Sequence, residues 1–309
     1  LRTEVFCLVR LALIDILIRN VRQEIVLKKY SDLAFSRERT KYSKDQLRYL
    51  IHLAYSELKN KELNPIFLFE KNLRKALSDQ YCLEDVKKIE KIFSESAPLD
   101  LCVKNGASKK GYFKQLKGLS VDLFHFRLLK KVSLMETEGY LSGDWWVQSL
   151  AASLPVKMAP MGFEAKTVLD VCCAPGGKSF QLADAGAILT SIDKSEKRLS
   201  LMRENMDRLN FDFELINVDV FDYKPKKIYD VILLDPPCTA TGTIGKNPDL
   251  QFLHPLDKLD ELMEIQQKML ERCAEWLIED GSIIYSVCSL LKEEGENQIT
   301  KFLDNNNRF

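Results

Sequence analysis

The first 97 residues of the chain repeat apolar positions at spacings of three and four, as between Leu47 and Leu58. This spacing places apolar side chains on one face of an α-helix, so the pattern predicts helices. Pro98 is predicted to mark the end of the region, because proline interrupts helices. We therefore expect residues 1–97 to form an all-α domain.

A different pattern begins at Leu99, where short strand-like runs replace the helical spacing. The runs cover Leu99–Val103 and Leu123–Leu134, and a short helix is predicted between them, near Tyr112–Leu116. Residues 98–142 are therefore predicted to form a small α+β domain.

After Trp145 and Trp146, apolar strands alternate regularly with helical stretches. This alternation is typical of right-handed crossovers in a parallel, doubly wound sheet, so residues 143–309 are predicted to form an α/β domain with a Rossmann-like sheet. The predicted strands are Val168–Cys172, Ile188–Asp193, Phe213–Asp219, Asp230–Asp235 and Ser282–Val287. The predicted helices are Lys178–Ala185, Glu196–Asn210 and Lys258–Ile278.

The formal net charge is zero, but the two halves of the chain differ in sign. Residues 1–150 contain 27 Lys and Arg against 19 Asp and Glu, whereas residues 151–309 contain 18 against 26. The bias is strongest in residues 101–131, where aromatic and basic side chains are interleaved. This mixture suits nucleic acid, and it is also typical of a solvated basic face over core aromatics. The basic residues are Lys104, Lys109, Lys110, Lys114, Lys117, Arg127, Lys130 and Lys131, and the aromatic ones are Tyr112, Phe113, Phe124 and Phe126.

Composition narrows the class of protein. Hydrophobic residues make up 46% and charged residues 29% of the chain, which excludes a disordered chain or a membrane bundle. The apolar stretch Val5–Ile18 is interrupted by Arg10 and Asp15 and is shorter than the ~20 residues that span a bilayer. The eight cysteines form no C-x-x-C pair, so neither a disulfide framework nor a zinc site is indicated. We expect a cytoplasmic protein without a metal or a membrane partner.

The first predicted strand of the α/β domain leads into a glycine-rich turn, Leu169–Ser179, with the sequence LDVCCAPGGKS. A phosphate-binding Walker loop would need glycine at Cys172, and the dinucleotide fingerprint G-x-G-x-x-G is absent. Asp193 and Asp219 follow the next two strands, where they could hold ribose hydroxyls and an adenine. This spacing favours S-adenosylmethionine over NAD, while a plain tight turn remains the alternative.

Two cysteines are predicted to lie at the same carboxyl edge of the sheet. Cys238 lies in DPPCTATG after the fourth strand, and Cys288 lies in YSVCS at the end of the fifth. Their polar loop context favours a chemical role over packing. The other cysteines outside the glycine-rich turn are interpreted as small buried apolar residues: Cys7, Cys82, Cys102 and Cys273.

A methyl donor beside two thiols suggests chemistry on a pyrimidine. Carbon 5 becomes nucleophilic only after a thiolate adds to carbon 6, and a second group can then assist release of the product. Asp235 can hydrogen-bond the ring nitrogen and amine of cytosine, and Lys178 can reach the base or Asp235. The base has to leave its stack to be reached.

These motifs resemble those of the Fmu/Sun family of RNA cytosine-5 methyltransferases, and the specific match covers about Gly143–Leu303. The quoted segments are CCAPGGKS, DPPCTATGTIGKNPDL and YSVCSLLKEEGENQI, with GDWWVQSLAASLP at the entry to the catalytic domain. Pro98–Asn105 resembles the start of the small domain that precedes it in bacterial members. Residues 1–97 are similar to the NusB-like RNA-binding domain of the RsmB branch, which methylates small-subunit ribosomal RNA.

The resemblance implies a role for each site residue. Cys288 corresponds to the nucleophile and Cys238 to the cysteine that helps release the product, while Cys173 and Val287 replace the usual alanine and threonine. Because such sheets end with two more strands after a helix predicted at Glu293–Leu303, a catalytic domain without its last strands is implied. We expect a monomer that acts on ribosomal RNA. The implied S-adenosylmethionine contacts are Cys172, Cys173, Ala174, Pro175, Gly176, Gly177, Lys178, Asp193, Asp219 and Asp235.

Two rival hypotheses remain open. In the first, the chain is a non-catalytic ribosomal-RNA-binding or ribosome-assembly protein that keeps the fold as a scaffold. In the second, it is a DNA cytosine methyltransferase whose nucleophile lies in a Pro-Cys motif, as Pro237 and Cys238 do, which would leave Cys288 without a role.

Overall fold

A computed structural model describes residues 12, 16, 22–36, 44–58, 69–95, 97–107, 118–122, 124–129, 133–253 and 255–309. The predicted helix near Tyr112–Leu116 and the predicted core residue Cys7 lie outside these residues. The chain divides into two compact units. The first combines described parts of residues 1–97 with residues 239–259 and 289–292, and the second comprises residues 98–238, 260–288 and 293–309.

Four α-helices form the described N-terminal part of the first unit: α1 (Gln23–Ser36), α2 (Lys44–Leu58), α3 (Lys71–Gln80) and α4 (Leu83–Ser94). The helix predicted from the spacing between Leu47 and Leu58 is thereby confirmed. Each helix pair buries apolar side chains from both partners, which is where most helical stability in proteins originates. Val26, Tyr30, Leu47 and Ile51 are buried between α1 and α2, and Leu73, Leu77 and Val86 between α3 and α4.

The second unit begins with an antiparallel sheet of strand order β2-β3-β1-β4. The strands are β1 (Leu99–Val103), β2 (Gly118–Ser120), β3 (His125–Leu128) and β4 (Trp145–Val147). Strand β4 pairs with β1, so the predicted domain division at residue 143 cuts through this sheet. Among the described residues of the predicted run Leu123–Leu134, which are 124–129, 133 and 134, a strand forms at His125–Leu128.

The described basic residues of segment 101–131 make contacts within the second unit. Arg127 forms an ion pair with Asp100 (2.7 Å), and Lys104 donates to the Leu209 carbonyl (2.6 Å) above the Phe211 ring. These two cations therefore stabilise the fold. The remaining basic residues of the segment, Lys109, Lys110, Lys114, Lys117, Lys130 and Lys131, lie outside the described residues, as do Tyr112 and Phe113.

A parallel five-stranded sheet of order β7-β6-β5-β8-β9 forms the rest of the second unit, which confirms the predicted α/β class. The strands are β5 (Thr167–Val171), β6 (Ile188–Asp193), β7 (Glu214–Asn217), β8 (Tyr229–Leu234) and β9 (Leu277–Tyr285). The helices are α5 (Leu150–Lys157), α6 (Gly177–Asp184), α7 (Glu196–Leu209), α8 (Leu259–Ala274) and α9 (Glu296–Asp304).

The central strands β5 and β8 are almost completely buried, as expected of strands covered on both faces. The helix predicted over Lys258–Ile278 ends at Ala274, because the chain turns at Trp276, which is buried against Tyr223, and β9 begins at Leu277. The chain order reverses between β5 and its neighbours β6 and β8, which opens a crevice at the carboxyl ends of the strands. No helix in the described part of the chain is long and apolar enough to cross a membrane.

Candidate active site

The glycine-rich turn between β5 and α6 has a backbone that only certain residues tolerate. Gly176 has φ +104°, and a Cβ added there would lie 2.8 Å from side-chain atoms of both Met202 and Phe180. Glycine is therefore required, because other residues rarely adopt this conformation and have no room for a side chain here. Cys172 also has a positive φ, +62°, immediately after β5.

Asp193, at the end of β6, connects this turn to the sheet through hydrogen bonds. Its carboxylate accepts hydrogen bonds from the backbone N–H groups of Ala174 (3.1 Å) and Ser195 (2.8 Å), and Arg198 lies 3.4 Å away. The residue is 4% exposed, so its position is set by these contacts. Asp193 therefore shapes the predicted cofactor loop as well as lining it.

Asp219 follows β7 and is more accessible than Asp193. Its side chain is 35% exposed, and its Oδ1 accepts from the Phe221 N–H (3.1 Å). Turn amides and accessible carboxylates are suited to a ligand that carries hydroxyls, an amino group and positive charge. The turn, Asp193, Asp219 and Asp235 are thus the residues at this edge that could hold a cofactor.

Asp170 is a site residue that the sequence pattern did not single out. It lies within β5, is 1% exposed, and accepts a hydrogen bond from the Ser179 hydroxyl on α6. Burial raises the pKa of the Asp170 carboxyl to about 7, against the effect of the Ser179 hydrogen bond. The signal in the sequence was a single acid within an otherwise apolar strand.

Lys178 and Asp235 are brought together as predicted. Lys178 lies in the first turn of α6 and Asp235 directly follows β8, and their Nζ and Oδ2 atoms are 2.7 Å apart. The Lys178 side chain is 15% exposed and the Asp235 side chain 32% exposed, so the carboxylate is open to a ligand on one side. The pair places one donor and one acceptor at the edge where the cysteines lie.

The two predicted cysteines also meet. The Sγ atoms of Cys238 and Cys288 lie 3.3 Å apart, and the next residue of each loop continues the pairing, with the Thr239 and Ser289 hydroxyls 3.0 Å apart. Cys288 is exposed. The hydrogen bond with Cys238 lowers the pKa of the Cys288 thiol, and Lys178 acts in the same direction, against burial and the Asp235 carboxylate. Cys288 is thus both accessible and more readily ionised than an ordinary thiol.

The remaining described cysteines differ from this pair. Cys102 and Cys273 are buried, as predicted, and burial raises the pKa of both thiols. Cys172 is half-buried, and burial raises its pKa to about 12. The prediction that Cys82 is buried is wrong: it is exposed at the start of α4 and donates to Asp85 (3.1 Å).

Known proteins match a large part of the chain. Residues 158–309 match the family model of 16S rRNA methyltransferase RsmB/F. Ribosomal RNA small subunit methyltransferase B of Shewanella oneidensis is 36% identical over 192 residues, which cover 60% of this chain and 44% of that relative. Its counterpart in Pseudomonas putida is 39% identical over 171 residues, which cover 53% and 39%. The chain therefore spans less than half the length of these two relatives.

Solved structures share the fold. A methyltransferase homolog protein from Pyrococcus horikoshii aligns with a TM-score of 0.63 at 26% identity and covers 77% of this chain and 80% of its own. NSun6 from the same organism, solved with SFG, aligns with a TM-score of 0.67 at 19% identity over 77% and 88% of the two chains. The resemblance found in the motifs is confirmed. Residues 158–309 of the chain are thus similar to the RsmB/F family of 16S rRNA methyltransferases.

Proposed function

We propose that this chain transfers a methyl group from S-adenosylmethionine to carbon 5 of a cytosine in RNA, with small-subunit ribosomal RNA as the substrate. The observation that carries the proposal is the pair of thiols at adjacent strand ends, 3.3 Å apart, one of them exposed and with a lowered pKa. The family match over residues 158–309 supports the substrate class.

Cys288 is the nucleophile in this proposal. Its thiolate forms a bond to carbon 6 of the cytosine, and the ring electrons make carbon 5 able to attack a methyl group bound to a positively charged sulfur. S-adenosylmethionine supplies that methyl group when bound. A carbon–carbon bond then replaces the carbon–sulfur bond of the donor.

Cys238 acts after methyl transfer. Carbon 5 must lose its proton, and the bond between Cys288 and carbon 6 must break to restore the aromatic ring. Cys238 lies next to Cys288 and can move a proton at this stage. The DNA methyltransferase hypothesis makes Cys238 the nucleophile, but Cys288 is the more exposed of the two cysteines, which supports Cys288 in that role.

Asp235 and Lys178 orient the base. The accessible side of the Asp235 carboxylate accepts from the exocyclic amine of cytosine, and Lys178 holds that carboxylate in place (2.7 Å). The glycine-rich turn, Asp193 and Asp219 hold the cofactor. Hydrogen bonds from ribose hydroxyls to Asp193 would add to those it already accepts from Ala174 and Ser195.

Release of tritium tests the reaction directly. Small-subunit ribosomal RNA is transcribed with tritium at carbon 5 of cytosine and incubated with the chain and S-adenosylmethionine. We expect tritium in water and 5-methylcytosine in the RNA in equal amounts, and neither with Cys288→Ala. Cys82→Ala, which changes an exposed cysteine on α4, is the matched control and should behave as the parent. Methylated RNA that keeps its tritium would reject carbon 5 as the target.

A further inference from the structure

A buried amide contacts the residue that precedes Cys238. Gln266, on α8, is 0% exposed. Its Nε2 donates to the Pro237 carbonyl (3.0 Å) and to Glu294 Oε1 (3.0 Å), and its Oε1 accepts from Gln298 Nε2 (3.3 Å). Both amide hydrogens and the amide oxygen are therefore engaged. A side chain held in this way has one orientation, because rotating it would leave buried polar groups without partners.

Two of the contacts of Gln266, those with Pro237 and Glu294, lead toward the cysteine loops. The Pro237 carbonyl belongs to the residue that precedes Cys238, in a Pro-Pro segment whose φ angles are fixed by the proline rings. The backbone carbonyl of Glu294 accepts a hydrogen bond from the Tyr285 hydroxyl (2.8 Å) at the end of β9, three residues before Cys288. A series of hydrogen bonds through Gln266 and Glu294 thus connects the residue before Cys238 with Tyr285 at the end of β9.

Glu294 strengthens this connection. It is 0% exposed. A buried carboxyl that lacks hydrogen bonds destabilises the fold, so loss of its hydrogen bond with Gln266 would be unfavourable. Burial, and after it the charge of Glu294, raises the pKa of the Tyr285 hydroxyl, which therefore remains a donor.

We propose that Gln266 is a positioning residue that sets the distance between the Cys238 and Cys288 thiols through its bonds to the Pro237 carbonyl and the Glu294 carboxyl. The inference deepens the proposed function and rests on it for its effect on turnover. Its effect on the thiols themselves is independent of any substrate. Without the Pro237 bond, the residue that precedes Cys238 loses this anchor, and the proposal predicts that the two sulfur atoms move beyond their separation of 3.3 Å.

The pH dependence of Cys288 alkylation reports on that separation. The groups that act on the Cys288 thiol are Cys238, Asp235 and Lys178, of which Cys238 has the largest effect. Iodoacetamide is applied to the folded chain at a series of pH values, and the modified peptide is quantified by mass spectrometry. With Gln266→Met, we expect the midpoint to move upward by about one pH unit and alkylation below it to slow about tenfold. Cys238→Ala should give the same shift.

Gln267→Met is the matched control. Gln267 is the next residue of α8, is also buried, and donates to Glu271 (3.1 Å) on its own helix. This variant should keep the parent midpoint. Circular dichroism and thermal melting establish that each variant is folded; if Gln266→Met is not, Gln266→Asn, whose shorter amide cannot reach both partners, replaces it. A folded Gln266 variant with the parent midpoint would overturn the proposal.

The second measurement separates this inference from the proposed function. On cytosine-containing RNA with S-adenosylmethionine, Gln266→Met should accumulate a covalent protein–RNA conjugate, as Cys238→Ala does, and Gln267→Met should not. A shifted alkylation midpoint without a conjugate from either Cys238→Ala or Gln266→Met would support the positioning role and reject the proposed reaction. A conjugate with Cys238→Ala alone, beside an unshifted midpoint for folded Gln266→Met, would reject the positioning role alone.

Discussion

The Sγ atoms of Cys238 and Cys288 lie 3.3 Å apart, although the residues are separated by 50 positions in the chain. Strands β8 and β9 are parallel neighbours, and each cysteine lies three or four residues beyond the end of its strand. The two thiols therefore lie together at the carboxyl edge of the sheet, each on a segment of similar length after its strand. One thiol can add to a base while the other remains within reach of the bond that forms.

Oxidation of the folded chain should join these two sulfurs. A disulfide bond is about 2.05 Å long, so closing it from 3.3 Å requires only a small approach. Treatment with diamide, which takes up the two hydrogens, should give a Cys238–Cys288 crosslinked peptide on non-reducing mass spectrometry. Cys82→Ala should crosslink equally well, and Cys238→Ala should not. Ready alkylation of both thiols without any crosslink would contradict the contact.

Asp193 and Asp219 should differ in what they contribute. Asp193→Ala removes an acceptor from two backbone N–H groups, so we expect the free energy of unfolding to fall by about 1–3 kcal/mol and S-adenosylmethionine to bind about tenfold or more weakly. Asp219→Ala should weaken binding while changing stability by about 0.5 kcal/mol or less, because its side chain is 35% exposed. Calorimetric titration and urea unfolding measure both quantities. Unchanged cofactor affinity in Asp193→Ala would show that this carboxylate only shapes the loop.

Asp170 should make stability depend on pH between about 4 and 7. Because burial raises its folded-state pKa to about 7, the folded chain holds a proton there that the unfolded chain releases above about 4. The free energy of unfolding therefore falls as pH rises through this window, by about 1.4 kcal/mol per pH unit from this group. In Asp170→Asn this contribution is absent, so the variant should gain stability relative to the parent from pH 5 to pH 7. Urea unfolding measures the free energy of unfolding of both proteins at each pH. A difference between them that stays constant from pH 5 to pH 7 would contradict a buried, protonated carboxyl.

The basic segment 101–131 should bind the RNA backbone. Alanine at Lys109, Lys110 and Lys114 should reduce the slope of log affinity against log salt by roughly 0.7–0.9 for each phosphate that a lysine no longer neutralises. Alanine at Lys224, Lys226 and Lys227, three lysines of the acidic half, removes the same charge and serves as the control. Filter binding at several salt concentrations measures the slope. Equal slopes for the parent and the first variant would place the RNA-binding surface elsewhere, for instance in residues 1–97.

Much of the parallel sheet was predictable from local pattern. Ile188–Asp193 begins and ends as predicted, because its apolar and small polar residues form a short run between turn signals. The meeting of Cys238 with Cys288 and of Lys178 with Asp235 followed from topology, since the carboxyl ends of parallel strands share one edge.

Other features depend on tertiary contacts that a local pattern does not contain. The sequence around β4 was predicted to begin the catalytic domain. In the structure, β4 pairs with β1 and is therefore part of the antiparallel sheet. Arg127 looked available for RNA, and only the structure places Asp100 opposite it in the neighbouring strand. Gln266 is one glutamine in an amphipathic helix, and nothing in the helix spacing indicates that its amide reaches the Pro237 carbonyl.

Denaturing gels of the two cysteine variants test the central claim most directly. Each variant is incubated with cytosine-containing ribosomal RNA and S-adenosylmethionine. Cys238→Ala can still add and transfer the methyl group but resolves the adduct slowly, so a stable protein–RNA conjugate should accumulate. Cys288→Ala should give none while still binding RNA and cofactor. A conjugate from Cys288→Ala and none from Cys238→Ala would contradict the account and make Cys238 the nucleophile.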